Sequence, residues 1–122
     1  MSFFHIRLEM ARTPEFPKGN PNRGYEFSAP LDKDGHLDKD AWEQSPDKAL
    51  VTRFWDGERA ALGKLVYQKN GWAFDYDPGN ESDDETGFRL ASHLFNSGEY
   101  VSIYDHGEDE LHTFVVKSVS LA

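Results

Sequence analysis

Apolar and polar residues trade places every second position along several stretches of the chain, the signature of strands with one wet face. Phe4, Ile6, Leu8 and Met10 interleave with His5, Arg7 and Glu9 and predict a first strand. Tyr25, Phe27, Ala29 and Leu31 predict a second, closed by Pro30 and the turn residues Asp32-Lys33-Asp34-Gly35. Between them, residues 13–24 carry three prolines and two glycines, so their backbone is expected to be a long loop rather than helix or central strand. Loops of that length in small domains are functional or mobile, and Phe16 is a candidate surface anchor.

Asp38 is placed to cap a short helix from Lys39 to about Gln44, stopped by Ser45-Pro46 and anchored on the core by Trp42. Leu50, Thr52 and Phe54 alternate with Val51, Arg53 and Trp55, a strand with apolar groups on both sides. Asp56-Gly57 turns the chain into Leu62–Gln68, and Asn70-Gly71 predicts a tight hairpin into Trp72–Asp77. Trp72, Phe74 and Tyr76 share one face, read as core before ligand groove. Residues 83–96 suit a strand, with a helix as the alternative because Ser82 and Glu85 fit a capping box and Gly98 a helix end. Tyr100–Tyr104 and Leu111–Val119, around a turn at His106-Gly107-Glu108, predict the last antiparallel pair.

The expected fold is mainly β: residues 1–122 form a single domain, a small antiparallel β-barrel or curved sheet with one short helix, becoming α+β if 83–96 is helical. Its interior is expected from Ile6, Leu8, Tyr25, Phe27, Phe54, Leu65, Phe74, Val101, Ile103, Phe114 and Val116. Length and the 14% aromatic content support such a core without staples. No cysteine is present, which excludes thiol nucleophiles, thiolate zinc sites and disulfides together. No apolar run approaches the roughly 20 residues that span a bilayer, and the N-terminus has no secretory pattern. A soluble, cytoplasmic protein is expected.

Charge changes the picture. The chain carries a formal net charge of -9. Residues 1–74 hold 11 acids and 11 bases, whereas residues 75–110 hold 11 acids against the single base Arg89. This balance disfavours nucleic acid and anionic membranes as partners, both of which need clustered lysine and arginine. The acids concentrate at Asp83, Asp84 and Glu85 and again at Glu108, Asp109 and Glu110. They read either as solvated, self-repelling loops or as a site for a basic protein or a cationic ligand.

Motifs add little. Asp32–Asp38 superficially suggests an EF-hand, but aligning Gly35 with the loop's glycine puts Pro30 at the first ligand position and Ala41 at the glutamate position. A turn followed by a helix cap accounts for the same residues. No nucleophile elbow, phosphate loop or dinucleotide fingerprint occurs, and no cofactor is implied. His93, Asp105 and His112 are candidates for metal binding or acid-base chemistry, though none has ligand spacing along one strand or helix. Across the last hairpin, Asp105 or His106 would oppose His112 if the turn spans about five residues.

Arg7–Arg12, the Gly24–Leu31 strand, Asp83-Asp84-Glu85 and the Gly98–Val119 hairpin together resemble small uncharacterised bacterial proteins of unknown function. The resemblance implies a bacterial cytoplasmic origin and brings no catalytic residues. Three functional classes follow. The first is a non-catalytic binding module with an acidic face. The second is a small-molecule or metal-dependent enzyme between the 13–24 loop and the last hairpin. The third is an oligomer subunit that buries Trp55 or Trp72.

Overall fold

In the computed structural model of the chain the alternating segments become strands, each lying antiparallel to the next. The structure describes residues 3–68, 71–76, 85–88, 94–105 and 110–122, with the backbone alone at 68, 85–88 and 105. The strands are β1 (Phe3–Met10), β2 (Asn20–Pro30), β3 (Leu50–Phe54), β4 (Ala61–Gln68), β5 (Gly71–Asp75), β6 (Glu85–Phe88), β7 (Tyr100–Asp105) and β8 (Glu110–Leu121). β8 returns to pair with β1, Phe4 opposite Leu121 and Met10 opposite Phe114, so the described strands form a closed barrel in sequence order. Closure removes the free sheet edges that an open sheet of this size would expose.

An eight-stranded barrel is just wide enough for side chains to fill its interior, and the described inward positions are large and apolar. Ile6, Leu8, Tyr25, Phe27, Leu65, Phe74, Val101, Ile103, Phe114 and Val116 are all buried, as their alternation predicts. Aromatic rings form its centre: Tyr25 lies 5.0 Å from Phe74 and 5.1 Å, edge-on, from Phe114, and Phe27 lies 5.4 Å from Phe74. Such contacts add specificity to the burial of large apolar area.

One end is stoppered. The helix α1 (Lys39–Gln44) starts at Asp38, whose side chain accepts a hydrogen bond from the Ala41 amide at 3.1 Å. Trp42 projects onto the barrel, donating from its indole Nε1 to the Leu65 carbonyl at 2.9 Å and meeting Trp72 edge-on at 5.6 Å. Phe95, in the segment before β7, is also fully buried and packs edge-on against Phe27 at 5.9 Å. Its amide donates to the Gly35 carbonyl, tying the β2–α1 turn to the segment before β7. Removing the cap by Asp38→Ala leaves the Ala41 amide without this partner and is expected to cost about 1 kcal/mol, read as a lower denaturant midpoint with unchanged m-value.

Several sequence expectations are corrected. Residues 20–24 belong to β2 rather than to the loop: Met10 pairs with Asn20 and Glu9 with Gly24, so residues 21–23 bulge between two paired positions. Pro21 is tolerated there because a bulged residue needs no ladder amide. Phe54 faces the outside of the barrel, where the Arg7 guanidinium covers its ring at 4.5 Å; Val51 is the buried residue of β3. Trp55 and Trp72, the anchors of the oligomer-subunit alternative, are 7% and 3% exposed, so that alternative loses its exposed aromatics while Trp72 is core, as its stripe predicts. Gln68 pairs with Gly71, so the β4–β5 link is residues 69 and 70, one position earlier than Asn70-Gly71. Asp105 opposes Glu110, and His112 opposes Ile103, because four residues rather than five join β7 to β8. Between 83 and 96, Glu85–Phe88 is strand, residues 94–96 are neither strand nor helix, against the strand expected there, and residues 83, 84 and 89–93 lie outside the described residues.

Candidate binding end of the barrel

Strand direction decides what meets at the end of the barrel opposite α1. β1, β3, β5 and β7 finish there at Met10, Phe54, Asp75 and Asp105, while β2, β4, β6 and β8 begin there at Asn20, Ala61, Glu85 and Glu110. Register puts Glu85 opposite Asp105 and Asp105 opposite Glu110, so three acids of the sequence share one rung at this rim. The other sequence-named acids, Asp83, Asp84, Glu108 and Asp109, lie outside the described residues, as does His93.

The 11–19 connection is held close to the same end by its own short bonds. The Phe16 amide donates to both the Thr13 carbonyl and Thr13 Oγ1, each at 3.0 Å, and Gly19 closes the turn onto the Phe16 carbonyl at a φ of 82°. Phe16 then packs against the core rim, as a surface anchor should. The Arg23 guanidinium lies 4.9 Å from the Phe16 ring and 5.1 Å from the Trp55 ring, joining loop, β2 and the residue after β3 through cation–π contacts. Arg53 approaches Trp55 from 4.2 Å.

Arg23 is fixed at its head by an ion pair with Asp56. The hydrogen bond from Arg23, reinforced by its charge and by the Asn20 side chain, holds the Asp56 carboxyl below the usual aspartate range. A depressed folded-state pKa contributes stability that is present above the unfolded value, near 3.9, and is lost as pH falls through the folded value. Arg23→Gln is therefore expected to return the Asp56 titration to the ordinary range, which carboxyl-detected NMR titration reads directly. The Phe16 ring resonances should move in the same variant as the stack is released.

Between the 11–19 connection and the start of β8 lies a cleft of about 490 Å³, lined by Arg12, Glu15, Arg23, Trp55, Glu110 and His112 among others. His112 meets Trp55 edge-on at 5.6 Å, and its Nε2 lies 3.9 Å from Glu110 Oε2, an ion-pair distance when the imidazole is protonated. Of the candidate trio His93, Asp105 and His112, the described residues place His112 in the cleft wall and Asp105 two positions further along the rim, opposite Glu110. The cleft itself was indicated in sequence by the loop and the last hairpin. The stacking role of Arg23 and Trp55 was not, since it joins residues that no local pattern connects.

At the opposite, stoppered end Asp32, Asp34 and His36 bring one polar atom each within 4.8 Å of one another. Asp32 Oδ1 accepts from the Asp34 amide at 2.9 Å and from the His36 amide at 3.0 Å, and Leu31 bridges to Leu37. Those bonds hold Asp32 below the usual aspartate range, the His36 amide contributing most. The group is a turn preceding the α1 cap, as the failed EF-hand spacing indicates. No helix among the described residues is long and apolar enough to cross a membrane. Comparison of the chain with known protein families, with curated proteins and with solved structures finds no match.

Proposed function

We propose that the chain is a small non-catalytic binding module of the bacterial cytoplasm whose working end is the end of the barrel opposite α1, and that it takes a basic protein or a cationic ligand there. The observation that supports this most is the shared rung of Glu85, Asp105 and Glu110, with Asp75 finishing β5 at the same end. Two of the bases nearest that rim do not offset the acids freely. Arg23 is committed to Asp56, and Arg53 to Glu58 at 3.3 Å. The described inward positions carry large apolar side chains, which favours the rim as the place where a partner is met.

Titration of an oligolysine peptide tests the reading. Affinity should fall steeply between about 0.1 M and about 1 M salt, as the Debye length shrinks from about 10 Å to about 3 Å. Glu110→Gln combined with Asp105→Asn should weaken it further at low salt. Binding that ignores salt, or that survives both neutralisations unchanged, rejects the proposal. A second reading, a small-molecule or metal-dependent enzyme around His93, Asp105 and His112, is favoured by one observation, the His112-lined cleft of about 490 Å³. Zinc or iron co-purifying stoichiometrically with untagged protein, and lost on His112→Ala, would support it over the first.

A further inference from the structure

On the outer wall, beside the mouth, the 11–19 connection and the bulge of β2 overhang β1 and β8 and enclose a groove of about 310 Å³. Its charged lining is Arg12, Lys18, Lys117 and Glu9, with Tyr100 and Val115 forming part of the apolar wall. Glu9 is already engaged by Arg7 at 2.8 Å. Arg7, Arg23, Lys39, Arg53 and Lys64 each have an acidic partner. Among the described residues Arg12, Lys18 and Lys117 have none, as is true of Lys33, Lys48 and Arg59, but Arg12, Lys18 and Lys117 line one groove together. In a chain of net charge -9, with acids to spare, three cations gathered round one groove without carboxylate partners make a local field opposite to that of the rest of the molecule.

We propose that this groove binds the phosphate ester of a small molecule. Three cations match a dianion better than a monoanion, and the planar fork of Arg12 suits two phosphate oxygens at once. Tyr100 is 62% exposed and Val115 half-buried, which offers the organic part of such an ester an aromatic and aliphatic face. The groove's volume limits that part to a small molecule rather than a polymer. Arg12 also lines the cleft that Glu110 lines, whereas Lys18 and Lys117 do not, so Lys117→Gln tests this groove apart from the partner proposed at the acidic rim.

Phenyl phosphate is a suitable probe, followed by amide chemical shifts. Saturable shifts centred on Gly19, Asn20 and Val115 are expected. Arg12→Gln and Lys117→Gln should each weaken binding about tenfold, the effect of losing one charge-assisted bond. Lys48→Gln, an exposed charge in the 3-10 turn at the stoppered end, should leave it unchanged. Benzoate, a monoanion of similar size, should bind more weakly than phenyl phosphate. All three substitutions are of exposed side chains, and unchanged circular dichroism separates a lost site from a lost fold. Non-saturable shifts, shifts centred elsewhere, equal weakening by Lys48→Gln, or benzoate binding as tightly as phenyl phosphate would each overturn the proposal.

Discussion

Gly24→Ala should destabilise the barrel by about 3 kcal/mol or more, at the upper end for overpacking, because the added carbon has nowhere to go. A Cβ at that position would sit 2.0 Å from the Leu8 carbonyl oxygen and 2.9 Å from its carbon, and both atoms belong to the backbone of the paired strand. A side chain could turn aside; a ladder carbonyl can move only by opening the β1–β2 seam. Gly24 also pairs with Phe54 of β3, so the disturbance reaches both neighbours of β2. Gly57→Ala is the matched comparison. Its φ of 82° carries strain, but no atom lies within 4 Å of the new carbon, so the loss should be about 1 kcal/mol. Urea denaturation of the two variants gives the difference, and near-equal midpoints would show that the close approach of β1 to position 24 is not what requires glycine there.

Phe114→Ala should cost about 3–5 kcal/mol, the range for removing a fully buried ring whose surroundings cannot collapse. Its ring is fully buried, edge-on to Tyr25 at 5.1 Å and within 6.4 Å of both Trp55 and His112. It therefore sits where the central aromatic cluster meets the floor of the cleft. For a chain of this size each kcal/mol is worth about 3–5 °C, so the melting temperature should fall by about 9–25 °C. Phe114→Leu, which keeps most of the volume, should recover more than half of the loss. A melting curve unmoved by alanine would contradict the placement of β8's inward face.

Much of this architecture is legible in the chain because a closed sheet with an apolar interior imposes a strict period of two. Ile6 and Leu8, Tyr25 and Phe27, and Phe114 and Val116 announce their burial by alternating with polar residues. The short helix was equally plain, since a cap, a stop and an anchoring tryptophan are all local signals. Alternation misplaces Phe54 for a definite reason. With Phe54 on one face of β3 and Val51 on the other, alternation cannot say which is inside, and the deciding partner, the Arg7 guanidinium, comes from β1. Composition misplaces Asn20–Gly24 because proline and glycine mark loops and bulges alike, and only pairing with Glu9 and Met10 tells them apart. The cleft walls and the outer groove are further from view, being assembled from residues far apart in sequence whose proximity is a product of register.

The pairing of β1 with β8 has a kinetic corollary. Phe4 has no partner on one side until Leu121 exists, so during synthesis the first strand must wait for β8 before its second flank is hydrogen-bonded. Contacts of such large separation carry a high loop-closure entropy and predict slow, late sealing. During that interval β1 is a vacant template for any other nascent chain, which makes dilution during refolding, and protection of emerging polypeptide in the cell, more important for this barrel than for a helical domain of equal size.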